Sequence, residues 1–500
     1  MKLSEKKQQL LFTITSNLLL QTVTAICGFI LPPLIVLHFG SSMNGMVSSI
    51  NQFIAYLNLV EAGVGGAAIA ALYKPLSNSD SEKRNQILSA ARGFYNRSGI
   101  FFTILVFALS AVYPFIVASQ VSKIEASLLV LILGITGAGE FFLIGKYRVL
   151  LTADRKVYVV STIQIIATIF NTFVAVILIQ RGFSILVVKF ASSCVFLLRY
   201  IPLAIYTKHT YPDVSFIAAP DKTAISQSKN VMVHQIGSLV VRNSPIIVIT
   251  VLCTLKDASI YSVYAMIFFA VKQIITSFSN GIEAFLGSSL SSGNIKSTQI
   301  TFAKYETMFF ALVFCVYSLT ASLCIPFMKI YTRNMTDADY IQPILSVLFV
   351  VIGVFDHLRT PGDKLISAAG HFRQTQWRSL LEAAINLIAS ITFTLIFGFK
   401  GVLFGSICSY AYRTFDIIFY ASKYIIHIPA VKSLLKIASF IPLTAVLLFI
   451  TEKFRIEIAS FMQWILYAII LGFFYGIVFL SVLLVQIKFF RHQDNCYGKK

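Results

Sequence analysis

Apolar runs of 20 or more residues follow one another along almost the whole chain, separated by short polar stretches, at roughly 10–38, 44–72, 92–119, 126–150, 157–180, 183–206, 228–252, 258–290, 302–330, 340–368, 374–398, 400–426, 430–451 and 457–487. A helix needs about 20 apolar residues to cross the ~30 Å hydrocarbon core of a bilayer. Only helices and closed barrels satisfy every backbone N–H and C=O inside it. A barrel strand would alternate apolar and polar positions over about ten residues, whereas these runs are continuous. The pattern therefore predicts an all-α polytopic membrane protein with about fourteen transmembrane helices and little mass outside the membrane.

The two longest polar stretches, 73–91 and 207–227, are too short to hold a soluble catalytic domain. The second falls after six spans. It divides the chain into a first lobe at 1–206 (helices 1–6), a linker at 207–227, a second lobe at 228–426 (helices 7–12), and 427–500 with helices 13–14 and a tail. A faint repeat supports two six-helix lobes. Asn58-Leu59-Val60-Glu61-Ala62 ends span 2 and Asn280-Gly281-Ile282-Glu283-Ala284 ends span 8; Leu151-Thr152-Ala153 and Asn171 match Ile366-Ser367-Ala368 and Asn386 at one separation. Halves that start on the same side are related by an axis along the membrane normal, and such transporters bind ligand between halves near the midplane.

Composition agrees: 57% of residues are hydrophobic and 12% charged. The net charge of +20 would suggest nucleic acid in a soluble protein, but its location explains it better. With the N-terminus in the cytoplasm, the inside segments hold 27 Lys and Arg and the outside ones 8, as the positive-inside rule requires. Both termini are then cytoplasmic and no nucleic-acid partner is implied. The first apolar stretch is too long for a cleavable signal. The seven cysteines form no CxxC pair, and no metal-ligand cluster, P-loop, HExxH or GxSxG occurs. No metal, cofactor or enzymatic activity is expected.

A charge at a helix centre costs about 2.5–3.5 kcal/mol on insertion scales and is kept where it faces a cavity or a partner. The charges inside spans include Glu61, Glu140, Arg199, Arg242, Lys272, Glu283, Asp356, Arg359, Glu382, Arg413 and Asp416. Arg242 is best placed, near the middle of span 7 in Arg242-Asn243-Ser244-Pro245. Pro245 predicts a helix kink, and a mid-span Arg beside a kink indicates a polar cavity; the alternative is a packing kink with a paired or snorkelling Arg. Lys272, near the middle of span 8, is either a second cation of that cavity or the partner of a carboxylate on a neighbouring helix. Glu61 precedes Gly63, Gly65 and Gly66 and could pair with an Arg, carry a proton or line a vestibule. Asp356–Arg359 and Arg413–Asp416, spaced i,i+3, are expected to be local pairs. Arg199 is expected to snorkel to the inner interface. Two cations on consecutive helices suit an anionic ligand, since Arg grips phosphate oxygens in bidentate fashion and Lys acts as a point charge.

The same segments resemble a known family. Leu59-Val60-Glu61-Ala62-Gly63-Val64-Gly65 with Leu72-Tyr73-Lys74-Pro75-Leu76, Tyr147-Arg148-Val149-Leu150-Leu151-Thr152-Ala153-Asp154-Arg155-Lys156, and Ala368-Ala369-Gly370-His371-Phe372 with Gly401-Val402-Leu403-Phe404-Gly405 are similar to the bacterial polysaccharide transporters. These are Wzx-type oligosaccharide flippases of the multidrug/oligosaccharidyl-lipid/polysaccharide exporter superfamily. The resemblance implies two six-helix lobes around a V-shaped cavity lined mainly by helices 1, 2, 7 and 8. The candidate cavity residues are Arg242, Lys272, Glu61, Glu283 and the uncharged Gln21 of helix 1. The absence of charge in the core of helix 1 argues against lipid II as substrate.

The sequence thus leads to a flippase that moves undecaprenyl-pyrophosphate-linked oligosaccharide repeat units across a bacterial cytoplasmic membrane by alternating access. An H+ or Na+ gradient is the expected drive, with Glu61 or Glu283 as proton sites, and polysaccharide assembly proteins are expected partners. The rivals are a drug/cation antiporter of the same superfamily, which should have a carboxylate-rich cavity; a polysaccharide polymerase or ligase, which should have a sizeable external loop; and an assembly scaffold.

Overall fold

The computed structural model describes residues 3–61, 64–117, 120–221, 229–279, 282–291, 295–454 and 456–497; Ala62, Gly63, Asn280, Gly281 and the linker end 222–228 lie outside them. Every described regular element is helical. Span 1 is α1 (Leu3–Phe39), and span 2 is α2 (Ser41–Leu57), a 3-10 turn Asn58–Glu61 and α3 (Val64–Ser77). The two pieces of span 2 meet at 44°. Span 3 is the unbroken α4 (Ser81–Ile116), whose first turn is capped by the Asp80 carboxylate accepting from Lys83 N–H at 2.9 Å. Span 4 is α5 (Lys123–Gly139), a π turn Glu140–Ile144 and α6 (Gly145–Ala153); span 5 is α7 (Val157–Gln180); span 6 is α8 (Ile185–Leu198) and α9 (Tyr200–Thr210).

The alternation continues. Span 7 is α10 (Lys229–Leu252), which runs on through Pro245, and span 8 is α11 (Leu255–Ser279) and α12 (Ile282–Ser291). Span 9 is α13 (Ile295–Tyr331), span 10 is α14 (Pro343–Leu358) and α15 (Thr360–Ala368), and span 11 is α16 (Phe372–Phe397). Span 12 is α17 (Gly401–Ala421), closed by a π turn Ser422–Ile426, before α18 (Ala430–Lys453) and α19 (Phe461–Tyr497). Among the described residues, spans 2, 4, 6 and 10 are thus interrupted within their length and span 12 ends in a π turn, while the odd-numbered spans run through. Irregular backbone at membrane depth is tolerated where protein or water satisfies the freed groups, so these breaks mark where polar partners are needed.

Among the described residues, all fourteen apolar stretches are mainly helical. By length and apolarity eleven described helical runs can cross a membrane, or twelve with the bent α2–α3 pair taken as one. The count falls below fourteen because α16 and α17 form one run, 372–426, and the apolar helix at Ile236–Leu252 within α10 is short. Large apolar side chains such as Phe101, Phe107, Phe115, Phe173, Phe449 and Phe473 point outward. In water that surface would be prohibitive; against lipid it is the solvent-matched face. The chain is a multi-pass membrane protein.

The helices pack into two compact units, Met1–Ser262 and Val263–Lys500. The boundary lies within α11 rather than in the 207–227 linker, because α10 packs against α2 in the first unit. A packing unit groups helices by contact and is not a duplicated lobe. In the second unit α18 and α19 lie on α13 through a cluster that includes Phe310, Phe314, Phe440, Leu447, Tyr475 and Phe479.

The contact of α16 with α17 shows how tightly these helices approach. A Cβ at Gly401 would lie 2.0 Å from the Phe393 carbonyl oxygen, and one at Gly405 would lie 2.3 Å from the Ser390 backbone nitrogen. Small residues spaced by four allow such backbone contact within membranes. Gly405→Val is therefore expected to cost at least the ~1–3 kcal/mol of overpacking, seen as a lower melting temperature in detergent. Gly93→Ala, which meets nothing within 4 Å, should leave the melting temperature unchanged.

Candidate functional site

The break in span 2 faces α10 across a cavity of about 530 Å³, all within the first unit. Its walls are Ala55, Asn58, Leu59 and Glu61 from the end of α2 and the 3-10 turn, Gly65 and Gly66 from α3, and Ser238, Leu239, Arg242 and Asn243 from α10. The turn exists where helix α2 gives way, and the two glycines behind it leave the wall without side chains. At Gly65 an added Cβ would come within 3.1 Å of the Tyr95 hydroxyl and 3.3 Å of the Glu61 carboxylate.

Arg242 is exposed on this wall, and among the described residues no carboxylate lies within ion-pair distance of it. Asn243 beside it is buried. The helix near Pro245 is braced by hydroxyls: Ser244 Oγ donates to the Val240 carbonyl at 2.6 Å, and Tyr56 OH donates to the same carbonyl at 3.2 Å and lies 2.7 Å from Ser244 Oγ. The polar setting expected beside the proline is present.

Glu61 has two partners. Its Oε1 accepts from Tyr95 OH at 2.7 Å and pairs with Arg148 Nη2 at 2.5 Å. Arg148 Nη1 also donates to Glu140 Oε1 at 2.6 Å, and Glu140 Oε2 meets Arg199 Nη2 at 3.3 Å. Arg199 ends the chain on the Gln164 side-chain oxygen and on the Phe196 carbonyl at 2.8 Å. Arg199, read from the sequence as a snorkelling residue, has a carboxylate and an amide oxygen as partners. Glu140, which the sequence left unassigned, opens the π turn of span 4, and such single-turn bulges commonly sit at functional positions.

The second unit carries its own network. Lys272 on α11 pairs with Asp356 Oδ2. Asp356 Oδ1 meets Arg359 Nη2 at 2.7 Å, and Arg359 Nη1 meets Glu382 Oε1 at 2.6 Å. Arg413 joins Glu382 at 3.5 Å and Asp416 at 3.0 Å, and Asp416 also holds Arg378. Both i,i+3 pairs form, but each carboxylate is shared with another helix. Lys272 takes the carboxylate-paired role left open by the sequence. Glu283 on α12 pairs with Lys364 on α15 at 3.2 Å. Gln21 is half-buried on α1 and is absent from the described lining of the 530 Å³ cavity.

Three residues escaped the sequence reading as site residues: Arg148, Tyr95 and Asn58. Arg148 sits at the predicted end of span 4, where a basic residue reads as a cytoplasmic flank; the helix in fact continues to Ala153. Asn58 was visible as a polar residue inside an apolar run.

The linker's first part, 211–221, is tied to the ends of α4 and α6. Asp213 accepts from Ser81 Oγ at 3.1 Å and its carbonyl from Asn85 Nδ2 at 2.8 Å; Tyr211 OH donates to Asp154 at 2.5 Å; Phe216 stacks edge-on to Tyr147 at 5.3 Å. Burial and the Asp154 carboxylate push the Tyr211 phenol well above its ordinary pKa. Among the described residues no group of three His, Cys, Asp or Glu is placed to hold a metal.

No protein-family model matches the chain, and no curated protein matches its sequence. Solved structures do match in fold. The lipid II flippase MurJ in an inward closed conformation superposes with a TM-score of 0.69 at 14% identity, over 96% of this chain and 99% of that one. An inward-facing multidrug resistance MATE family transporter of the MOP superfamily gives 0.60 at 14% identity, over 81% and 94%. The eukaryotic MATE transporter AtDTX14 gives 0.53 at 15% identity, over 87% and 99%. At such identities the likeness is one of fold: the chain has the architecture shared by these flippases and transporters.

Proposed function

We propose that the protein is a flippase for undecaprenyl-pyrophosphate-linked oligosaccharide repeat units, working by alternating access in a bacterial cytoplasmic membrane with both termini inside. The observation that carries this reading is Arg242, an intramembrane cation on a cavity wall without a carboxylate partner among the described residues. A pyrophosphate entering hydrocarbon unaided faces a prohibitive desolvation cost, and a guanidinium with free donors offsets it through bidentate bonds to phosphate oxygens. Asn58, Asn243 and Ser238 on the same walls offer hydrogen bonds of the kind sugar hydroxyls use. The polyprenyl tail stays in lipid while the headgroup passes. Fold likeness to a lipid flippase with near-complete coverage of both chains supports the class and leaves the cargo to the chemistry of the cavity.

The six-helix repeat belongs to the same proposal. Interrupted spans occur in both halves, spans 2, 4 and 6 in the first and span 10 in the second, and so does a charge pattern. Glu140 and Arg148 stand eight residues apart in span 4, as Asp356 and Lys364 do in span 10. Glu61, at the end of the 3-10 turn of span 2, and Glu283, in the first turn of α12 in span 8, pair with Arg148 and Lys364 respectively. We assign the drive to an H+ or Na+ gradient, carried where Glu61 or Glu283 exchanges its basic partner for the ion. The rival reading, antiport of cationic drugs, would place the cation at Glu61 in the cavity wall.

Deleting the gene and measuring surface polysaccharide together with the sidedness of the lipid-linked repeat unit tests the proposal. Loss of polymer with complete repeat units on the cytoplasmic leaflet is the expected result. Repeat units outside but unpolymerised would assign the chain to polymerisation or assembly, and unchanged polysaccharide would assign it to drug or ion export.

A further inference from the structure

We infer that Arg148, which is absent from the described cavity lining, determines which sign of charge the cavity accepts. The inference deepens the proposed anionic-headgroup site and rests on that reading. Two charged side chains, Glu61 and Arg242, are on the described walls, and alone they would cancel. Glu61 is not alone: Arg148 Nη2 holds its Oε1 at 2.5 Å. Arg148 reaches it from α6, which packs against α3, while its other nitrogen holds Glu140, itself supported by Arg199. Glu61, Glu140, Arg148 and Arg199 make a chain of two acids and two bases that is neutral as a whole. The uncompensated charge left on the cavity is Arg242, and the site is an anion site.

Remove Arg148 and the balance changes. Glu140 keeps Arg199, but Glu61 keeps the Tyr95 hydroxyl alone. The cavity then holds one free acid opposite one free base, and an anionic headgroup loses its net attraction while an organic cation loses the net repulsion. Remove the Glu61 carboxylate instead and Arg148 contributes unused positive charge beside the cavity, so an anion gains. The two partners of one ion pair therefore act in opposite directions on ligand affinity. A purely structural role for the pair would weaken binding in both cases, because either change breaks the same contact.

The test is calorimetric titration of inorganic pyrophosphate, at low salt, into the detergent-solubilised full-length protein. Expected are a pyrophosphate affinity that Arg242→Gln removes, an affinity about tenfold weaker in Arg148→Gln, and one about three- to tenfold tighter in Glu61→Gln, as one charge added or removed at short range in a partly shielded site implies. The double variant Glu61→Gln/Arg148→Gln should return close to the wild-type value. Tetraphenylphosphonium binding should rise in Arg148→Gln. If Arg148→Gln does not accumulate, Glu61→Gln and the double variant decide. Pyrophosphate binding that depends on Arg242 but is not tightened by Glu61→Gln overturns this inference and leaves the anion site standing. No Arg242-dependent pyrophosphate binding in the wild type overturns both.

Discussion

Replacing Arg242 by glutamine is expected to lower export of the lipid-linked repeat unit by roughly ten- to a hundredfold, the range that follows from losing a charge-assisted contact of about 1.5–3 kcal/mol. The protein should still accumulate and melt as before. Both halves of that expectation come from one observation. Arg242 is exposed on the cavity wall, and among the described residues it has no ion-pair partner, so its removal strands no buried acid. The backbone around Pro245 is held by Ser244 and Tyr56, not by the guanidinium. Arg242→Lys should retain part of the activity, since a point charge survives but the bidentate fork does not. Export is read from surface polymer and from the leaflet in which repeat units accumulate, and abundance from the membrane fraction. Wild-type export in Arg242→Gln would remove this residue from the site.

The second large effect is of the opposite kind. Asp356→Ala is expected to lose the protein from the membrane. Asp356 is buried and holds both Lys272 and Arg359. Breaking a buried pair by removing one partner typically costs about 3–5 kcal/mol because the other charge is left uncompensated, and here two cations are involved. Lys272→Gln is expected to be milder, because Asp356 keeps Arg359. A membrane fraction with normal amounts of Asp356→Ala would show that the network is not what holds α11, α14 and α16 together. The contrast between Lys272 and Arg242 matters for the site: the sequence offers them as equivalent cations on consecutive spans, and they differ because one has found a carboxylate.

What the sequence made legible was governed by local rules. Span positions follow from continuous apolarity, and among the described residues all fourteen are mainly helical. Pairs spaced i,i+3, such as Arg413 and Asp416, follow from helix geometry, and both form. Glu61 and Arg242 stood out because charge is costly at mid-span, and they do share one cavity. Non-local facts stayed hidden. Nothing near Glu61 in the chain names Arg148, 87 residues away, as its partner, because pairing between spans depends on how helices cross and rotate. The π turn at Glu140–Ile144 has no compositional signature, since it inserts one residue into a helix that reads as continuous. The break of span 2 at Asn58–Glu61 was readable only as two polar residues and a run of glycines, which would equally suit close helix packing.

The most direct test is a translocation assay in reconstituted vesicles. Proteoliposomes containing the purified protein and a labelled polyprenyl-pyrophosphate oligosaccharide in one leaflet are treated with a membrane-impermeant pyrophosphatase, and the accessible fraction is followed in time, with and without an ion gradient. Transfer that depends on the protein and is lost in Arg242→Gln is the predicted result. Transfer at the rate of protein-free vesicles, together with uptake of an organic cation that Glu61→Gln abolishes, would contradict it and identify the cavity as a cation carrier's.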